Sequence, residues 1–553
     1  MSEARERCFK DPIHDELPIS PKVAQFIDTM EFQRLRSVKQ LGTSYWVWPG
    51  ASHNRFEHCL GVAYLARVLV EHLQRHQPEL NITKRDVECV ELAGLCHDLG
   101  HGPWSHVFDG VFLPRAVKGC TWQHEQGSVL MFDHMILEND IDIHPDDASF
   151  VKALILGDPS LCRRSDEKPF LFEIVANKRN GLDVDKFDYI QRDTHMVGSP
   201  ISISPKRIIK SARVLEDQIC YNIKDANALF EICATRFKLH KILYNHRTAK
   251  AIEYMIVDGL LAADPVLHIS KMVDKPEEYV HLTDDIMPQI EVSKDPRLAE
   301  AQAIFKRIRK RDLYKLVDYK VIDWPMRSTF QAEITPKSVL LAAQQFASSG
   351  DENLDVEGLE AEHIIVDFSS MHYGMKERNP LDEVKFYSKA NPNQCAKAGR
   401  GDYSTLQPEC FAEVCVNVYT KVPKFFGIIQ AGYRAVFKDV ADRIAAAAPA
   451  STGGDGPPSP PVTEETPRTP RPGSRSASFT FGSNKRNSLS NNSFTTVAPD
   501  YAPGSPTRVA ADKKEKAKRR RDASPSKERG RGGVGVSVGG DGEIVVTKKQ
   551  KKT

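Results

Sequence analysis

The chain has 553 residues, 41% of them hydrophobic, enough for two or three domains and a sizeable core. Its net charge of +2 hides an asymmetry: from Ala441 onward there are 21 Lys+Arg against 11 Asp+Glu, leaving 55 against 63 before it. An acidic body excludes a broad nucleic-acid surface there, and a basic tail implies a separate role. Eleven cysteines without a C-x-x-C speak against a cysteine-based zinc module and for a reducing compartment. The N-terminal MSEARERCFKDP lacks the apolar stretch of a signal peptide, and no apolar run is long enough to cross a bilayer. A soluble, intracellular protein without internal repeats is expected.

In chain order, residues 5–22 are proline-rich and read as an extended or turn segment. Val23 to Leu41 has helical spacing, with Val23, Phe26, Ile27, Met30 and Leu35 on one side. Gly42 to His58 reads as a hairpin or loop feeding a helix that Ser52 or Asn54 caps and that runs to about His76. His58 follows Arg55 by three residues, so both project on one face.

A second amphipathic helix, Val87 to Leu99, ends in the adjacent pair His97-Asp98. An imidazole beside a carboxylate at a helix end can hold a metal ion. Gly100 and Gly102 break the helix and would let the backbone approach a charged ligand, and His101 and His106 follow. On its own the pair more often marks a helix terminus with a satisfied imidazole. Trp122 to Met131 opens another helix carrying His124 and Glu125, and 139–169 reads as a polar surface excursion.

Asp183, Asp185 and Asp188 crowd one stretch in which Lys186, Tyr189 and Asp193 share a helical face. That stripe suits a phosphorylated, hydroxylated ligand or a salt-bridged exposed helix. Within a helical region from Ala226 to Val257, Arg236, His240 and Tyr244 form a second stripe. Arginine favours bidentate phosphate contacts. Leu298 to Leu316 reads as a basic helix, Ile364–Phe368 and Val384–Tyr387 as strands, and Phe411 to Val418 as helical. After about Ala445, Pro, Ser, Gly and basic residues dominate and disorder is expected. Lys513–Asp522 and the terminal K-K-Q-K-K fit nuclear import or nucleic-acid contact. Ser459, Thr466, Thr469, Ser505 and Ser524 each precede a proline, as proline-directed kinases require or as ordinary linker contains.

The order H…HD…D, from His58, His97-Asp98 and a later aspartate, resembles the HD phosphohydrolase superfamily. D-P-I-H, F-Q-R-L-R, P-G-A-S-H-N-R-F-E-H, G-L-C-H-D-L-G-H-G-P-W-S-H, H-E-Q-G-S and D-V-D-K-F-D-Y resemble the SAM- and HD-domain-containing deoxynucleoside triphosphate triphosphohydrolases of animals. The likeness covers roughly residues 8–440. It implies a mainly α fold: an N-terminal extended regulatory segment (1–22), an HD catalytic core (23–285), a small α+β C-terminal lobe (286–444) and a disordered basic tail (445–553). No SAM domain is expected, since only a few residues precede D-P-I-H.

The implied reaction is dNTP plus water to deoxynucleoside and intact triphosphate. The resemblance assigns the metal to His58, His97, Asp98 and Asp185, a set suited to iron, zinc or manganese. That ion would polarise the α-phosphate and activate water. His106 would donate the proton to the departing 5′-oxygen, supported by Asp109 and Glu125, while His101 and His124 contact phosphates. Arg55, Lys186, Tyr189 and Arg236 would grip the triphosphate with bridging magnesium, and His240 would complete the wall. Gln40 and Asp193 would bind the 3′-hydroxyl, and Leu41 and Tyr244 would exclude a 2′-hydroxyl.

The resemblance further implies homotetramers assembled by GTP or dGTP together with a dNTP. Asp28, Gln33 and Arg36 match a guanine site, Arg7 is the basic residue near where the allosteric nucleotides would bind, and Arg207, Lys224, Lys397 and Arg400 match phosphate contacts between subunits. Asp15 stands where the family has glycine, and Lys10 also departs from its pattern. The expected location is the nucleus, with the cytoplasm as the alternative, and the tail offers a contact for single-stranded nucleic acid. Two other functions compete: an HD-type phosphodiesterase or nuclease, and a nucleotide-sensing nucleic-acid-binding protein.

Overall fold

The computed structural model describes residues 7–348, 356–399 and 401–447. β1 (Arg7–Asp11) and β2 (Asp15–Ile19) form an antiparallel hairpin with Asp11 opposite Asp15. Asp15 has φ +74°, backbone that favours glycine. The helix expected from Val23 to Leu41 is instead Pro21–Ile27, Met30–Gln33 and a tight turn Arg34–Ser37. Thr29 interrupts it, because its Oγ1 accepts the Phe32 amide at 3.3 Å and starts a new helix.

The helix Arg55–His76 starts after Asn54, whose amide donates to Glu57 Oε1 at 3.0 Å. Its apolar face packs on the helices Lys84–Cys96 and Val184–Met196. The stretch 139–169 is no simple surface excursion. It contains the helix Pro145–Leu156, which buries Phe150, Val151, Leu154 and Ile155 against Lys84–Cys96. Those positions have helical spacing, masked by the polar flanks. Gly100 and Gly102 serve packing rather than ligand approach. A Cβ on Gly100 would lie 2.0 Å from the His124 carbonyl, and one on Gly102 would lie 2.3 Å from the Phe108 ring.

The region 226–257 is also interrupted. The helix Ala226–Leu239 widens into a π turn, His240–Tyr244, and Arg247–Leu267 starts afresh. Such turns often mark functional sites. The basic helix is Ala299–Arg309 and gives way to strand.

β3 (Arg213–Leu215) and β4 (Gln218–Asn222) form an antiparallel hairpin. β5 (Lys315–Asp323) and β6 (Ile364–His372) flank β9, while β7 (Lys385–Tyr387) and β8 (Ala396–Lys397) extend the β3–β4 sheet. β9 spans Ala412–Thr420, where a helix was expected. Val414, Val416 and Val418 face a second core against the helices Pro336–Ser348 and Phe426–Ala447, while Tyr419 joins the main core. A strand covered on both faces reads as a continuous apolar run, so its period of two was hidden. The main core retains Ile286, Ile290, Phe305 and Ile308, and the second core starts at Val317. The last helix carries 445–447, and the rest of the tail, with its basic clusters and Ser/Thr-Pro positions, lies outside the described residues.

Candidate active site

The three aspartates crowded between 183 and 188 separate into three roles. Asp183 caps the helix Val184–Met196, its Oδ1 accepting the Lys186 amide at 3.1 Å. Asp185 points inward, with Oδ1 3.1 Å from His58 Nε2 and 3.6 Å from His97 Nε2. Asp188 is buried behind His58 and accepts from its Nδ1 at 2.7 Å. His97 Nδ1 donates to the Gly94 carbonyl at 2.8 Å, which leaves its Nε2 facing the same point. Asp98 lies 3.5 Å from both Nε2 atoms and binds Arg55 Nη1 at 2.5 Å.

This arrangement fits a divalent cation. His58 Nε2 and His97 Nε2 are buried without a hydrogen-bond partner, and the ligand atoms of His58, His97 and Asp185 lie within 4.8 Å of one another. Each imidazole is held by its far nitrogen, which fixes tautomer and orientation as a metal ligand needs. Burial lowers the His58 pKa, but the neighbouring carboxylates of Asp185 and Asp188 outweigh it and leave it at about 10. Burial likewise opposes ionisation of Asp98 and Asp185. Arg55, His97 and His101 nevertheless hold Asp98, and His58 and His97 hold Asp185, below the usual carboxylate range. The pocket thus concentrates negative charge where the two imidazole Nε2 atoms converge, and a divalent cation there would take the place of the His58 Nε2 proton.

Beside it, His101 stacks on His124 at 3.8 Å, and His106 stands edge-on to both at 4.8 and 5.1 Å. Asp109 accepts from His124 Nδ1 at 2.8 Å and lies 3.7 Å from His106 Nδ1. Glu125 Oε2 is 3.4 Å from His124. Burial, Arg55 and His124 push the His101 pKa well down, whereas Asp109 raises that of His124 against burial. Ligand atoms of His101, His106, Asp109 and His124 also cluster. The His101 and His124 rings are nearly parallel, 13° between planes. The group thus sets a His101 imidazole with a depressed pKa beside a His124 imidazole with a raised one, next to an exposed His106.

A cavity of about 560 Å3 opens from this cluster. It is lined by Gln40, Leu41, Arg55, Lys186, Tyr189, Asp193, Arg236, His240 and Tyr244, bringing both helical stripes to one space. Arg236 Nη1 donates to the His372 carbonyl at 2.7 Å, and its Nε is buried without a partner. Tyr244 OH donates to Asp193 Oδ2 at 2.7 Å, and the other Asp193 oxygen binds His53 Nε2 at 2.7 Å. Asp188 stood out from the sequence only as one of three crowded aspartates, and its buried partners Asp11, His14 and Arg192, like His53, were not singled out. D-P-I-H contained two of them, but nothing local linked them to residues more than 170 positions away.

The residues expected to regulate lie elsewhere. Arg7 grips Asp28 through two bonds of 2.7 and 2.6 Å, and Gln33 Oε1 accepts Arg36 Nε at 2.8 Å. Arg207 pairs with Asp225, next to Lys224, and Lys397 on β8 pairs with Glu383 at 3.1 Å. Arg400 lies outside the described residues. No described helix is long and apolar enough to cross a membrane.

The helical core and the His/Asp cluster together define a metal-dependent hydrolase of the HD class, and residues 55–148 match the HD domain family. The chain is 43% identical over 446 residues to human deoxynucleoside triphosphate triphosphohydrolase SAMHD1, covering 75% of this chain and 70% of that protein. It is 42% identical over 448 residues to the zebrafish (Danio rerio) protein of the same name, covering 75% and 71%. It is 35% identical over 439 residues to the SAMHD1 homolog of Dictyostelium discoideum, covering 79% and 82%. The chain belongs to the SAMHD1 family.

Proposed function

We propose that the protein hydrolyses deoxynucleoside triphosphates to deoxynucleoside and inorganic triphosphate, limiting dNTP pools. The observation that carries this reading is a single cavity lined by Asp98 and Asp185 of the metal cluster, by the cations Arg55, Lys186 and Arg236, and by the Asp193–Tyr244 pair. A phosphodiesterase would need fewer cations beside its metal.

His58, His97, Asp98 and Asp185 hold one divalent metal, with iron, zinc and manganese the candidates. When bound, it supplies Lewis-acid polarisation of the α-phosphate and makes water a stronger nucleophile. Arg55, Lys186, Tyr189 and Arg236 bind the triphosphate, whose charge magnesium shares, and Arg236 Nε has a free donor for it. His101 and His124 contact phosphate oxygens. His106 gives its proton to the departing 5′-oxygen, and Asp109 and Glu125 hold the donor cluster. Gln40 and Asp193 take the 3′-hydroxyl. Leu41, His240 and Tyr244 form the wall that excludes a 2′-hydroxyl, since clash adds to the desolvation of an unpaired OH.

Regulation by GTP or dGTP and a dNTP through a homotetramer is part of the same proposal. Asp28, Gln33, Arg36 and Arg7 form the guanine site, and Arg207, Lys224, Lys397 and Arg400 the junction contacts. Because Arg7 already grips Asp28 in the single chain, a guanine base must displace it. The basic tail directs the protein to the nucleus and offers a contact for single-stranded nucleic acid. The test is chromatography of products from dGTP alone and from dATP with and without GTP. Deoxynucleoside plus triphosphate supports the reaction, and GTP-dependent dATP turnover supports the regulation. Absence of triphosphate from metal-loaded protein under every condition rejects the reaction.

A further inference from the structure

Two chain segments meet over the cavity. Residues 39–41 bring Gln40 and Leu41 to its wall, and residues 104–106 bring His106. Ser105 Oγ donates to the Lys39 carbonyl at 2.7 Å and accepts from Arg55 Nε at 3.0 Å. Gly42 has φ +49°, and a Cβ there would lie 2.7 Å from the Trp104 carbonyl. The segments are therefore packed to main-chain contact.

The second segment is strained. Trp104 and Ser105 hold φ of +55° and +58°, backbone that residues other than glycine, asparagine and aspartate rarely adopt. Two successive residues in that region persist only where the surroundings over-determine them. Asp284, just before the helix Ile286–Val292, supplies that constraint. Its Oδ1 accepts the Trp104 amide at 2.7 Å and its Oδ2 accepts the Lys39 amide at 3.0 Å. Its own amide is tied to the Ser37 carbonyl at 3.1 Å. The buried Arg34 fastens the same strap from the other side, donating to the carbonyls of Leu99, His101 and Leu282 at 2.9, 3.0 and 2.6 Å. Asp284 is not among the residues lining the cavity.

We propose that Asp284 is a positioning residue that couples sugar selection to proton delivery: one carboxylate, through one oxygen each, sets the segment carrying Gln40 and Leu41 and the segment carrying His106. This rests on the reading of those residues given under the proposed function. Desolvation raises the Asp284 pKa to about 6 against the two amides and Lys39, so both oxygens accept at neutral pH. No neutral side chain offers two acceptors there. An asparagine would turn its NH2 toward one of the amides, and the repulsion between two N–H donors would push the side chain off both anchors.

The test compares wild type with Asp284→Asn, metal-loaded. Expected are a kcat for dATP lower by about 10–100-fold, the scale of misplacing a reacting group by ~1 Å, and a dATP-over-ATP ratio of kcat/KM lower by about tenfold or more. Metal content should match wild type, because Asp284 bonds to none of the proposed ligands. The ratio is indifferent to the fraction of protein folded, so a purely structural role would lower Tm and leave it unchanged. An unchanged ratio, or loss of only one of the two properties, overturns the coupling. Should Asp284→Asn not fold, Asp284→Glu, which keeps both acceptors one methylene further out, carries the same comparison. Hydrogen exchange gives a readout independent of turnover. Peptides covering 38–42 and 103–107 should lose protection together in the variant, and loss in one alone overturns the proposal. Absence of triphosphate release by wild type would count against the proposed reaction, while the exchange result would still decide the role of Asp284.

Discussion

His58 Nδ1 donates to Asp188 Oδ2 at 2.7 Å, and this bond sends His58 Nε2 toward Asp98 and Asp185. Asp188 also accepts from His14 at 2.6 Å and from Arg192 at 2.8 and 2.9 Å, so its position is set from three sides. Orienting partners of this kind are typically worth 10–100-fold in metal affinity. Asp188→Asn should lower metal affinity by about that factor while leaving every proposed ligand in place. Competition against a chelator of known affinity measures it, and wild-type affinity in the variant would contradict the assignment.

The same network makes Gly61 intolerant of a side chain. A Cβ there would lie 2.0 Å from Asp188 Oδ1 and 2.6 Å from Arg192 Nη2. Gly61→Ala should destabilise the protein by roughly 1–3 kcal/mol or more and loosen the metal with it. Chemical denaturation and metal content check both, and a variant indistinguishable from wild type would mean that the helices Arg55–His76 and Val184–Met196 separate at little cost.

Acid should act through this network too. Burial raises the Asp188 pKa, but Arg192, His14 and His58 outweigh it and hold the carboxyl well below its ordinary value. A carboxylate depressed in the folded state stabilises it above the unfolded pKa, about 3.9, and that stability is lost as pH falls through the folded value. Metal-free wild type should therefore be more stable than Asp188→Asn at pH 7, by roughly 3–5 kcal/mol for breaking a buried pair. The two Tm curves should converge as pH falls below the carboxylate range. Parallel curves would remove Asp188 from the acid response.

Tyr244 bonds to Asp193 and stands in the cavity wall, where the proposed function places the sugar. Tyr244→Ala opens the wall and frees one Asp193 oxygen. The dATP-over-ATP ratio of kcat/KM should fall by about 10–100-fold. An unchanged ratio would place sugar discrimination on other residues.

What could be read from the sequence depended on how local its signal was. The stripes Lys186–Tyr189–Asp193 and Arg236–His240–Tyr244 were visible as helical spacing and do meet in one cavity, although a π turn replaces the regular helix between 240 and 244. The break at Thr29 was hidden because the apolar spacing continues across a hydroxyl that caps a new helix. β9 was hidden because both its faces are covered. Asp284, His53 and His14 act through partners 140 to 245 positions away, contacts that local pattern does not encode.

The most direct test of the central claim is hydrolysis of dATP by metal-loaded protein, with its activators, in 18O-labelled water. Attack at the α-phosphorus with proton delivery to the 5′-oxygen predicts unlabelled deoxyadenosine and intact triphosphate carrying one 18O. Label in the deoxyadenosine, or release of dADP or dAMP with phosphate or pyrophosphate, would contradict it.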